Sequence, residues 1–169
     1  MAGIVTLSLE LELGWGMHDK AEYNHLSEDR TAETKALHRM LDLADQHDLP
    51  ITFDVVGHLL HESCSGSHTG PYPEDYWIED PGTDRETNPH FYAPDLVQEI
   101  QQRPTDHELA THTYSHLLAD ESSTEQLDHE LSRVQQVYSD FGIQKPTSIV
   151  MPRHQNPDYS TLSDHGITT

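Results

Sequence analysis

The sequence predicts an α/β fold built on parallel strands with helices outside. Three observations carry that prediction. Short apolar or β-branched runs alternate with longer segments whose apolar residues recur at helical spacing. Proline or glycine punctuates most of the joins, at Pro50, Gly57, Pro94 and Gly142. The chemically distinctive residues follow directly on strand-like runs, where parallel sheets place their sites.

Ile4-Val5-Thr6-Leu7-Ser8-Leu9 is apolar enough for a buried first strand. From Thr31 to His47, Leu37, Met40, Leu41 and Ala44 recur on one helical face, and Pro50 closes that helix. Ile51 to Val56 reads as a second strand ended by Gly57. Pro94 suits the first turn of a short helix whose Leu96, Val97 and Ile100 face inward. Glu108 to Thr111 forms a third strand. Ser123 with Gln126 fits a capping box for the next helix, whose stripe is Leu127, Leu131, Val134, Tyr138 and Phe141. Gly142 suits a left-handed cap at its end. Ser148 to Met151 is a fourth strand, and Pro157 to His165 a last short helix. Residues 58–93 form a long insertion rich in Gly, Pro and Asp, with Tyr72, Tyr76, Trp77, Phe91 and Tyr92. These aromatics either stack on a ligand ring or pin the loop to the body, and pinning is the favoured role.

At 169 residues, one domain is expected. The 30 acidic against 9 basic residues give a formal charge of −21, a surface that repels nucleic acid and anionic membranes. The acids are spread along the chain, and screening by a salty cytoplasm is the expected setting, as in a halophile. Cys64 is the single cysteine, so no intrachain disulfide forms. No apolar run is long enough to span a bilayer, and Met1-Ala2-Gly3 leads into the first strand without a basic start. The expected location is cytoplasmic.

The most specific segment is His112-Thr113-Tyr114-Ser115-His116. Two histidines four apart can share a face of a helical turn, and imidazole is a common ligand of divalent ions. Carboxylates at Glu10 and Glu12, after the first strand, offer a third ligand. With 14 histidines in the chain, chance patterns arise easily, and His61/Cys64 and His107/His112 are read as such.

His112 to His116, preceded by His107-Glu108-Leu109, resembles the metal-binding motif of the polysaccharide deacetylase superfamily, of the carbohydrate esterase family 4 type. Ile51-Thr52-Phe53-Asp54-Val55-Val56-Gly57 resembles its second strand, and Val150 to Gln155 falls at its third motif. Glu10, Glu12, Trp15 and Gly16 match the acidic-x-Glu pair and Trp-Gly of branches acting on surface polysaccharides. The resemblance implies a distorted seven-stranded (β/α) barrel, of which this chain would supply about four to five βα units, ending before the late histidine motif. It implies Glu12, His112 and His116 as ligands of one divalent ion. Zinc is the default, with cobalt, nickel and manganese as competitors. It further implies Glu10 as general base and a backbone N–H near Pro152-Arg153 for the oxyanion.

Two residues depart from the family pattern. Glu10 stands where aspartate is usual, so it is either the base or a solvated acid. Arg153 follows Pro152 where the family's arginine precedes it, so Arg153 contacts substrate or pairs with Glu10. The expected function is metal-dependent removal of an N-acetyl group from an amino sugar, carrier-linked or in an oligosaccharide. The alternatives are an inactive barrel that binds sugar or a protein, and a hydrolase of non-sugar amides. Oligomeric state is left open.

Overall fold

The structure is a computed structural model and describes residues 3 and 5–169. Three parallel strands, β1 (Ser8–Leu11), β2 (Thr52–Val55) and β3 (Glu108–Thr111), lie side by side in that order. Ser8 pairs with Thr52 and Glu10 with Asp54, and Thr52 pairs in turn with Glu108. Helix α1 (Thr31–His47) links β1 to β2, and α2 (Pro94–Gln101) precedes β3. Helix α3 (Thr124–Phe141) follows β3, and α4 (Tyr159–Asp164) comes last. This is the α/β order expected. A closed barrel is not formed among the described residues.

The helix ends follow from local chemistry. Ser123 accepts the Gln126 N–H, and the Gln126 side chain accepts the Ser123 N–H, which completes the capping box of α3. Gly142 closes that helix at φ 79°, a conformation in which a Cβ would be strained. Pro94 opens α2, and Leu96, Val97 and Ile100 are buried. On α1, Leu37, Leu41 and Ala44 are buried, but Met40 lies at the margin of the stripe and is exposed.

Each strand turns one face to the helices. Leu9, Leu11, Phe53, Val55 and Leu109 pack into a core with Leu41, Val97, Ile100, Val134 and Tyr138. Burial of each such side chain contributes on the order of 2 kcal/mol. The opposite face is polar. Ser8 hydrogen bonds Asp54, Thr52 donates to Glu108 at 2.7 Å, and Ser148 also reaches Glu108.

Two strand expectations are corrected. Ile4 lies outside the described residues, whereas Val5 and Leu7 are 95% and 51% exposed. The paired strand starts at Ser8 because β2 begins at Thr52, whose N–H reaches back only as far as the Leu7 carbonyl. The fourth strand contracts to one parallel bridge between Thr111 and Ile149. Pro152 has no N–H to continue a ladder, and it opens a 3₁₀ turn over Pro152–His154 instead.

The insertion is irregular apart from a 3₁₀ turn at Gly57–Leu60 and a bridge between Ser63 and Asp84. Its aromatics point inward: Tyr92 and Phe91 are buried, and Trp77 packs against Trp15. Among the described residues no helix is long and apolar enough to cross a membrane.

Candidate metal centre

Residues 112–116 form the turn that leaves β3. It is not helical. Thr113 and His116 both take left-handed φ, 64° and 63°, so the two imidazoles converge through a tight reversal. Such backbone needs support from outside, and it has it on every side. Gly57 and His58 donate their N–H groups to the Thr113 and Tyr114 carbonyls at 2.9 and 2.8 Å. Gly57 permits this close approach, because a Cβ would lie 3.3 Å from the Tyr114 Cα and crowd the turn. Leu117 donates to the Thr113 hydroxyl at 2.8 Å.

Three further donors of the turn go to one residue that the sequence reading missed. Glu130, fully buried on α3, accepts the Tyr114 and Ser115 N–H groups at 2.8 and 2.7 Å. It also accepts the Ser115 and Tyr72 hydroxyls at 2.8 and 2.5 Å. Burial pushes its carboxyl upward, and these four donors oppose that effect. The signal was available: Glu130 stands three residues after Leu127 and four before Val134, on the buried stripe of α3.

Glu12 follows β1 and meets both imidazoles. Its Oε2 lies 3.1 Å from His116 Nε2 and 3.4 Å from His112 Nε2. The His112 Nδ1–H donates to the Val150 carbonyl at 2.7 Å, which fixes the tautomer and leaves the Nε2 lone pair directed at Glu12. That Nε2 is buried with no hydrogen-bond partner. The neighbouring imidazoles, His112 first and then His116, hold the Glu12 carboxyl well below the usual carboxylate range, although burial opposes them. Gly16 leaves room for this carboxylate, since a Cβ there would sit 2.4 Å from its carbon.

The set fits a divalent ion. One ligand atom from each of the three residues lies within 4.8 Å of the others. Ligands of a tetrahedral ion at ~2.0–2.2 Å stand roughly 3.3–3.6 Å apart. Beside His116 opens a cavity of about 510 Å³ whose lining includes His18, Asp19, Tyr76 and Ile78. His18 Nδ1 binds the Trp15 carbonyl at 2.7 Å, and burial lowers the pKa of this imidazole, favouring its neutral form.

The other two sequence candidates stand apart from these ligands. Glu10, in register with Asp54, has its nearest basic neighbour in His154, at 3.9 Å. Burial pushes the Asp54 carboxyl up. Arg153 does not pair with Glu10. Left-handed φ values of 52° and 54° at Arg153 and His154 turn the guanidinium to Asp19, which it grips at 2.6 and 2.8 Å.

A family model described as polysaccharide deacetylase matches residues 24–169. No curated protein gives a significant match. Among solved structures, a family 4 carbohydrate esterase from Streptomyces lividans in complex with acetate superposes with TM-score 0.56 at 18% identity. It is covered over 98% of this chain and 60% of that one. A CE4 family pseudoenzyme from Bacillus anthracis gives TM-score 0.57 at 15% identity, over 96% and 40% of the two chains. A de-N-acetylase from Aggregatibacter actinomycetemcomitans gives TM-score 0.54 at 18% identity, over 94% and 69%. The chain thus spans less than two thirds of the length of the first two, and at these identities the likeness concerns the fold.

Proposed function

The chain belongs to the polysaccharide deacetylase family, and from that premise we propose that it acts as a metal-dependent N-deacetylase on an acetylated amino sugar, carrier-linked or within an oligosaccharide. One observation carries the reading: Glu12, His112 and His116, from the ends of β1 and β3 on either side of β2, direct their ligand atoms at one point. The same reading takes the three-stranded sheet as part of a seven-stranded (β/α) barrel, with the polar face of Glu10, Asp54 and Glu108 turned inward.

Glu12, His112 and His116 would hold the ion, zinc by default, and it would supply Lewis acidity toward the acetyl carbonyl and a lowered pKa for the attacking water. In this reading Glu10 is the residue that would accept a proton at its carboxylate as the acetyl group is attacked. Asp54 stands opposite Glu10 in register, and burial pushes the Asp54 carboxyl up. Arg153, paired with Asp19 of the adjoining cavity's lining, donates to sugar oxygens in this reading. Tyr76 and His18 form a wall of the adjoining cavity.

A specific observation favours a second reading, an inactive sugar-binding unit: Arg153 is held by Asp19 and not by the residue assigned as base. Acetate release from N-acetylglucosamine oligomers and from non-sugar amides, with zinc and high salt, separates the readings. Deacetylation of the sugar substrate that is abolished by His116→Ala and by Glu10→Gln is expected. Stoichiometric metal with no acetate from any substrate establishes the inactive unit, and unchanged turnover in His116→Ala overturns the metal mechanism.

A further inference from the structure

A second cluster of ligand-type side chains lies inside the insertion, away from Glu12, His112 and His116. It brings together His58 from the turn after β2, Cys64, His68 and Asp80, whose ligand atoms all fall within 4.8 Å of one another. His68 Nε2 lies 2.5 Å from Asp80 Oδ2 and 3.5 Å from Cys64 Sγ, and His58 Nε2 lies 3.6 Å from the same Asp80 oxygen.

The strongest independent sign is His58. Its side chain is fully buried and neither ring nitrogen has a hydrogen-bond partner. A buried imidazole with both nitrogens idle is costly, because each has given up its hydrogen bonds to water and gained none in return. Here it is enclosed by the rings of Trp15, Trp77, Tyr92 and Tyr114. The other ligands are oriented as well. Asp80 Oδ1 accepts the Gly82 N–H at 3.1 Å and the Tyr92 hydroxyl at 2.8 Å, which leaves Oδ2 toward the imidazoles. Gly66 donates its N–H to Cys64 Sγ at 3.4 Å, which orients the sulfur.

We propose that His58, Cys64, His68 and Asp80 form a structural zinc site. One thiolate, two imidazoles and one carboxylate fill a tetrahedral shell and leave no open position, which marks a structural ion and not a catalytic one. The site staples the insertion to the end of β2. Trp77 stacks on His68 with centroids 3.8 Å apart, Tyr76 hydrogen bonds Ser115 at 2.8 Å, and Tyr72 reaches Glu130. The ion therefore braces the turn that carries His112 and His116.

This inference does not depend on the deacetylase reading. Cys64 is the only cysteine, so a thiolate-to-cobalt charge-transfer band in the near ultraviolet reports on this cluster alone. Titration of the metal-free full chain with cobalt(II) is expected to raise that band to saturation by two equivalents, one for each site. The band persists in the His112→Ala/His116→Ala double variant and is lost in Cys64→Ser, and His58→Ala weakens cobalt binding at this site by roughly 100-fold. A folded wild-type chain that takes up cobalt without the band overturns the proposal. So does a band that saturates at half an equivalent, which places the thiolate between two chains. Both results are read on the wild type and stand even where Cys64→Ser does not fold.

Discussion

The Glu130 carboxylate accepts both the backbone N–H of Ser115, at 2.7 Å, and its hydroxyl, at 2.8 Å. One α3 side chain therefore fixes the turn that aims the two imidazoles. Glu130→Ala leaves two buried N–H groups and the Tyr72 hydroxyl without their acceptor. We expect it to destabilise the chain by about 3–5 kcal/mol, as breaking a buried charged network does. Glu130→Gln keeps the volume, and its zinc affinity at Glu12, His112 and His116 is expected to fall roughly 10–100-fold. Denaturant unfolding and a zinc competition assay check the two outcomes, and wild-type affinity in Glu130→Gln would remove the bracing role.

Gly16→Ala tests the space left for Glu12. Gly16 is not among the residues with positive φ, so alanine fits the backbone, but its Cβ would fall 2.4 Å from the Glu12 carboxyl. The expected result is weakened zinc binding, by roughly 10-fold or more, with stability changed by less than about 1 kcal/mol. Equal zinc affinity in the two proteins would show that the carboxylate has room to move.

His61 gives the pH dependence. Arg133 donates to the Tyr114 hydroxyl at 3.2 Å, and that hydroxyl lies 2.9 Å from His61 Nε2, an arrangement that uses the neutral ring as acceptor. Burial, aided by His58, Arg133 and His68 and opposed by Asp80, lowers the His61 pKa to about 4. The unfolded ring titrates near ~6.5. Between those values the unfolded chain binds the extra proton, so stability falls as pH drops from about 6.5 to about 4. The loss from this residue is at most about 3 kcal/mol. His61→Gln is expected to flatten unfolding free energy against pH in that window, and an unchanged slope would contradict the assignment.

A formal charge of −21 sets the salt response. Raising KCl from ~0.1 to ~1 M shortens the Debye length from about 10 to about 3 Å, which screens repulsion among the exposed carboxylates. The midpoint of thermal unfolding is expected to climb across that range. A flat midpoint would mean that the acidic surface carries no stability cost.

The parts legible from sequence are those that local chemistry decides. Ser123 and Gln126 mark the start of α3 and Gly142 its end, and Pro94 opens α2, because caps and proline act within a few residues. His112, His116 and Glu12 were legible as candidates because each follows a strand, but the left-handed turn that joins the histidines was not. What escaped depends on distant partners. Glu130 is an acid on an apolar stripe whose donors lie 15 and 16 residues earlier in the chain. Cys64 reads as a chance neighbour of His61 until the insertion folds His58, His68 and Asp80 around it. Arg153 turns to Asp19, 134 residues away, through backbone angles that no side-chain pattern announces.

Zinc uptake by the metal-free chain, wild type against His112→Ala/His116→Ala, tests the central claim most directly. After equilibration at neutral pH and exhaustive dialysis, the double variant should retain one zinc per chain fewer than the wild type, with both proteins equally folded by circular dichroism. Equal zinc content in the two would show that Glu12 and the paired imidazoles hold no ion, and the deacetylase mechanism built on them would fail.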